Sequence, residues 1–243
     1  MKMQIVTHYT VILFGLSAVW SPQVDAVIFE DWNDAEAMTN NWFYFDGIDY
    51  EGTAPDWQSS GGIDNSPHVR CPLGLLAAWD PQTEPYAYYP LYTYDQYHSV
   101  NLLENPHVSI AVRDTAFIST DLQGGALYFF VGEWIEEDNY YFVYFNPVSF
   151  APTSAWTTHT IHTTTDPGDW TLLGSDGPDP DLATLLSDPQ QWGFTIRGGT
   201  APPMGQIGFD NLAVIPEPAT HVLIFGLTAL GYLWLRRRTG QRG

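Results

Sequence analysis

The side chains best suited to touching a ligand here are aromatic. Tyr92 and Tyr94 lie in a tyrosine-dense stretch running from Tyr86 to Tyr97, and Trp57 sits in a polar, glycine-rich stretch before it. Ring faces stack on the apolar faces of sugars, and phenol tips supply hydrogen bonds. Clustered on a surface, such residues mark an interaction site. The other use of the same residues is packing beneath a long loop, which Pro85 and Pro90 suggest. The acids offer less. Glu133, Glu136, Glu137 and Asp138 raise the question of glycoside hydrolysis, which needs two carboxyl groups about 5–9.5 Å apart. Along an extended strand Glu133 and Glu137 would be separated by ~13 Å, and their setting reads as a solvated hairpin tip. His159 and His162 have a spacing that sends them to opposite faces of a strand. They lack the cysteine partners or the His-Glu-x-x-His helix of a zinc site. No Gly-x-Ser-x-Gly elbow is present for nucleophilic chemistry.

The elements that must carry these residues are short strands. Val27–Trp32 reads as a first strand. The stretch from Gly47 to Pro72, rich in Gly, Asp, Ser and Pro, reads as loops. Val108–Val112 is apolar and partly alternating. Ala126–Val131 and Tyr140–Phe145 flank the polar run Glu136–Asn139, the signature of a hairpin. Trp156–His162 has β-branched composition, and Trp192–Arg197 and Gln206–Val214 complete the set. One short helix is expected. Asp179 can cap it, Pro180 suits its first position, and Asp181 favours its positive end. Leu182, Leu185 and Leu186 then share one face. Many short strands separated by turn signals predict an all-β, antiparallel sandwich.

The charge balance narrows the function. The chain of 243 residues has a formal net charge of −20. Between Ala26 and Ile215 the only basic residues are Arg70, Arg113 and Arg197, against 26 acids. A nucleic-acid backbone needs cationic contacts, so that class of partner is excluded. The abundance of aromatics separates the chain from disordered acidic tails. Cys71 is the only cysteine, so no intrachain disulfide forms, and a small packed thiol is the plain reading.

The two ends read as addresses. Lys2, the apolar run Val11–Trp20 and the small-residue pattern Val24-Asp25-Ala26 make residues 1–26 a secretory signal peptide. Residues 27–214 then form the exported domain. At the other end, Pro216-Glu217-Pro218 precedes an uncharged apolar run and the basic stop Arg236, Arg237 and Arg238. As a helix, His221–Leu235 would span roughly 22 Å, short of the ~30 Å hydrocarbon core. Flanking Thr220, snorkelling arginines and local thinning can close that gap. The arginines stay cytoplasmic and place the domain outside. Residues 215–243 resemble the PEP-CTERM sorting tail: motif 216–218, transmembrane segment 220–235 and basic tail 236–243. The resemblance rests on Val214–Thr220, the apolar span and the three arginines. It implies an exosortase as processing partner, a transient hold in the inner membrane, and delivery to the cell envelope, outer surface or matrix.

A second resemblance rests on an order of small pieces: Leu122-Gln123-Gly124-Gly125, Trp156 with its Thr-rich strand, Trp170, Asp181–Leu186, Ile196-Arg197-Gly198 and Gly208-Phe209-Asp210-Asn211. This order is similar to that of laminin domain IV-type (laminin B) modules and covers roughly residues 105 to 214. It implies a jelly-roll-like sandwich without catalytic residues, hence a non-catalytic module associated with exopolysaccharide or biofilm matrix. The alternatives are a carbohydrate-binding module with a defined glycan and, third, a glycan-active enzyme. Related sandwiches hold a structural calcium with acids from the first and last strands. Glu30 and Asp210 occupy those positions here, and Asp31 and Asn211 could add oxygens. Calcium takes six to eight such ligands. Solvated charges at strand ends are the competing reading.

Overall fold

The computed structural model describes residues 28–34, 41–44, 52–73, 88–115, 119–135, 140–147, 149–174 and 181–216. All of them fall in one compact unit, Ala26–Glu217; the other unit comprises Met1–Asp25 and Pro218–Gly243. The signal segment, the transmembrane segment, Glu217 and Pro218, the three terminal arginines and the hairpin-tip acids Glu136, Glu137 and Asp138 therefore lie outside the described residues. Among the described residues, no helix is long and apolar enough to cross a membrane.

Two antiparallel sheets face each other. Sheet A holds β1 (Ile28–Glu30), β2 (Asp56–Gln58), β3 (His68–Pro72), β5 (His107–Asp114), β8 (Thr157–His162) and β11 (Gln206–Ile215). Its order is β2-β3-β11-β5-β8, with β1 beside β11. Sheet B holds β4 (Tyr88–Tyr94), β6 (Ala126–Ile135), β7 (Tyr140–Phe145), β9 (Thr171–Gly174) and β10 (Gln191–Arg197), in the order β4-β10-β6-β7-β9. The all-β sandwich expected from the sequence is what forms. β6 and β7 pair as the hairpin signature predicts, with Ile135 opposite Tyr140 and Phe130 opposite Phe145.

Alternation along each strand decides what is core. Leu127, Phe129, Val131, Trp192, Phe194 and Ile196 of sheet B meet Val69, Ile110, Val112, Ile207 and Phe209 of sheet A, all 0–1% exposed. Phe194 stacks on Phe209 across the gap, ring centroids 5.8 Å apart. Cys71 is fully buried in this core, and burial pushes its thiol pKa well up, as suits an inert packed thiol.

Three local readings are corrected. The stretch 47–72 is not all loop, because it contains β2 and β3. β3 is short, and its partner β11 lies more than 130 residues away, with Cys71 opposite Ile207. A non-local ladder of that kind leaves no periodic trace in five residues. The tyrosine stretch contains a strand, β4, at the edge of sheet B. Pro90 sits where its register against β10 shifts, between the pairs Phe194–Leu91 and Ile196–Tyr88, a place in a sheet that tolerates a missing N–H. Finally, the helix α1 (Leu182–Ser187) is capped by Asp181, not Asp179. The Asp181 carboxylate accepts from the Thr184 backbone N–H at 3.1 Å and its hydroxyl at 2.8 Å. Leu182, Leu185 and Leu186 are buried on one face as expected.

Candidate functional site

The outward side chains of sheet B are the complement of its core-facing set: Tyr89, Tyr92 and Tyr94 on β4, Gly193, Thr195 and Arg197 on β10, Tyr128 and Phe130 on β6, and Phe145 on β7. Phe43 joins the edge through paired backbone hydrogen bonds with Tyr92, both 2.9 Å. The rings, with Arg197 between them, form one continuous band. Tyr97 lies 5.6 Å from Phe43, Phe43 5.7 Å from Tyr94, Tyr94 5.6 Å from Tyr92, and Tyr92 6.2 Å from Tyr89. Tyr89 meets Phe130 edge-on at 5.0 Å, and Phe145 meets Tyr128 at 5.3 Å. Arg197 bridges the two parts. Its guanidinium stands 5.9 Å from the Tyr89 ring and 5.0 Å from Phe145, and Nη2 donates to the Tyr89 hydroxyl at 3.0 Å. Each such ring pair adds about 0.5–1.5 kcal/mol beyond its buried area, so the band is rigid and laid out before any ligand arrives.

Its members divide by exposure. Tyr92 is 2% exposed and Phe130 0%, so they are the band's foundation. Gly52, at φ +78°, abuts the Tyr92 hydroxyl, where no larger residue would fit. Tyr89, Tyr94, Phe43, Tyr128 and Phe145 are half-buried, and Tyr97 is exposed. The structure thus brings Tyr92 and Tyr94 together and gives them different roles. It does not bring Trp57 to them. Trp57 pairs with inward-facing Val69, packs on the core and donates its indole N–H to the Trp32 carbonyl at 2.8 Å. Tyr89 belongs to the tyrosine stretch already singled out, but sequence reasoning missed Phe145 and Arg197. The alternation of β4 and β10 carried the signal, but only the register of β10 between β4 and β6 shows that these faces coincide.

Glu30 and Asp210 are on neighbouring strands but not on the same face. Glu30 is the register partner of core-facing Leu212, whereas Asp210 is the partner of outward-facing Ala111. A bulge separates the two, with Asn211 at φ 49°, a conformation asparagine tolerates better than most residues. Glu30 Oε1 lies 3.4 Å from the Trp42 indole nitrogen and 3.5 Å from His98 Nε2. Burial is the main cause of its raised carboxyl pKa and of the lowered His98 pKa. Asp210 is fully buried and accepts from the Ile63 N–H at 2.7 Å, the Ser66 hydroxyl at 2.9 Å and the Asn211 N–H at 2.8 Å. Burial raises its pKa and these bonds oppose the rise. Among the described residues, no group of three His, Cys, Asp or Glu side chains is placed to share a metal ion. His159 turns inward and stacks on Phe150 at 4.2 Å, while His162 faces out, 4.8 Å from His107. Glu133, on β6 opposite Phe142, is half-buried.

A PEP-CTERM protein-sorting motif matches residues 214–238. It implies a protein that is exported and sorted through its C-terminal segment. The match begins inside β11, whose Val214 is paired with both Ile28 and Val108. No curated protein matches the sequence. Among solved structures, the chain is similar to a family 11 carbohydrate-binding module of the cellulosomal cellulase Lic26A-Cel5E of Clostridium thermocellum, with 13% identity over 79% of this chain and 94% of that one, at a TM-score of 0.43. It is also similar to the L4b domain of human laminin alpha-2, with 12% identity, 76% and 96% coverage and a TM-score of 0.42. Neither likeness is strong enough to speak about a ligand.

Proposed function

We propose that this is an exported, non-catalytic envelope or matrix protein whose sandwich holds polysaccharide on the outer face of sheet B. Residues 1–26 act as the signal peptide, residues 27–214 as the domain, and residues 215–243 as the tail an exosortase processes. The single observation that supports glycan contact is the continuous ring band from Tyr97 to Tyr128 with Arg197 set into it. Half-exposed rings offer stacking faces and tyrosine hydroxyls offer hydrogen bonds, while Arg197, only 5% exposed, holds Tyr89 and Phe145 in place. Rings already held by their neighbours lose little freedom when a sugar docks.

A panel of neutral polysaccharides in native affinity gels tests the binding half. Wild-type protein is retarded, and Tyr94→Ala and Tyr97→Ala each reduce retardation several-fold, with melting lowered by no more than about 4 °C. Equal mobility of all three proteins in every gel would remove the band from consideration. The mature C-terminus, read by mass spectrometry from the envelope fraction, tests the sorting half. A terminus upstream of the apolar segment is expected, and an intact chain in the cytoplasm would refute export.

A further inference from the structure

Two of the domain's three arginines stand together on the other side of the molecule. Arg70 on β3 and Arg113 on β5 are both register partners of Gly208 on β11, one on each side, and all three face away from the core. Two strand spacings put their Cα atoms about 10 Å apart. Trp156 lies over the glycine between them: a Cβ at Gly208 would come within 3.0 Å of the indole and 2.6 Å of the Thr115 methyl. The Trp156 indole N–H donates to the Gly61 carbonyl at 3.0 Å, and Arg113 rests 5.2 Å above the ring. His68, 4% exposed, meets Trp156 edge-on at 5.4 Å.

The charges on this face are unevenly paired. Asp56 pairs with Arg70 at 2.6 Å. Asp210, a second acid on the face, is bound by the loop that covers it. Arg113 forms no ion pair among the described residues, and the Nε atoms of both arginines are buried without a hydrogen-bond partner. Burial, then Arg113 and Arg70, lower the His68 pKa to about 4, so the imidazole is neutral near pH 7 and leaves the arginines as the positive groups of this face. The rest of the Arg113 guanidinium is half-buried, and an anionic oxygen is the acceptor that suits it best.

We propose that this patch of sheet A binds an anionic group, carboxylate or sulfate ester, carried by a sparsely charged acidic polysaccharide. The 26 acids between Ala26 and Ile215 repel a dense polyanion. One guanidinium without a carboxylate partner therefore selects a chain whose charges are widely spaced. This site is on a different sheet from the aromatic band and works by a different chemistry, so the two can be tested apart.

Native affinity gels containing partly esterified polygalacturonate, lightly sulfated dextran and neutral dextran read out the site. At low salt, wild-type protein is retarded by at least one of the two acidic polymers more than by neutral dextran, and which one identifies the anion. Arg113→Gln reduces that retardation at least five-fold. Asp56→Asn, which frees Arg70, increases it several-fold. Both variants keep wild-type retardation in whatever neutral polysaccharide the aromatic band binds. Equal retardation of wild type by acidic and neutral dextran-type polymers overturns the proposal. So does an Asp56→Asn variant no better retained than wild type, a result that stands even if Arg113→Gln proves unstable.

Discussion

Asp210 and Ile63 are 147 residues apart in sequence and are joined by a 2.7 Å hydrogen bond from the Ile63 backbone N–H to the Asp210 carboxylate. The same oxygen takes the Ser66 hydroxyl. A buried charge on the last strand thereby folds the 63–66 turn onto the outer face of sheet A. That turn holds Asp64 and Asn65 at φ 52° and 65°, a backbone that needs outside support.

Removing the Asp210 acceptor should loosen the turn before it loosens the sandwich. Asp210→Ala leaves three donors without a partner and is expected to cost about 2–4 kcal/mol. Urea unfolding should show the loss, and hydrogen exchange should show Ile63 losing protection first. A cost below roughly 0.5 kcal/mol would mean that the turn stands without Asp210.

Calcium is not expected to act through Glu30 and Asp210 as a pair. The bulge at Asn211 sends them to opposite faces of sheet A. The Asp210 oxygens already accept three hydrogen bonds. Melting in calcium and in chelator should agree within about a degree. A rise of several degrees with calcium would instead make one of these carboxylates a ligand and require the turn to rearrange.

Tyr92 and Tyr94 should separate packing from binding. Tyr92 is 2% exposed, and its truncation to alanine should cost about 3–5 kcal/mol, as for other buried aromatics. Tyr94 is half-buried, and its alanine variant should cost about 1 kcal/mol while losing glycan retention. The measurement is unfolding free energy beside affinity-gel mobility. The reverse ranking in stability would contradict the placement of β4.

His68 sets a pH dependence with a definite sign. Its folded pKa is about 4, lowered chiefly by burial and then by Arg113 and Arg70, while an unfolded histidine titrates near 6.5. Between those values the unfolded chain holds more protons, so stability rises with pH in that window and is lost as pH falls from about 6.5 toward 4. At pH 4.5 the loss from this residue should approach roughly 2 kcal/mol. His68→Gln should flatten the profile between pH 7 and 4.5. Parallel profiles for wild type and variant would show that His68 is protonated at little cost in the fold.

Part of the sandwich was legible in the sequence because one pair of its strands forms locally. β6 and β7 are neighbours in sequence, and aromatic and β-branched runs mark both. The helix face Leu182–Leu185–Leu186 was legible because a 3.6-residue period fits within one turn. β3 was not, since five residues containing Arg and Pro have no reason to be extended until β11 lies beside them. β4 was obscured by Pro90, which reads as a loop residue and is tolerated only at an irregular sheet edge.

The sequence by itself determined the acidic charge, the class of fold, the Pro-Glu-Pro signal after the last strand, and the presence of a tyrosine cluster. These depend on composition and short-range order, which a chain carries whether folded or not. Tertiary structure alone decided which of those residues meet. It joined Arg197 to Tyr89 and Phe145, sent Trp57 into the core, and placed Glu30 and Asp210 on opposite faces of adjacent strands. The reason is that side-chain direction in a sheet alternates with every residue, so one bulge or one step of register between distant strands changes every contact across them.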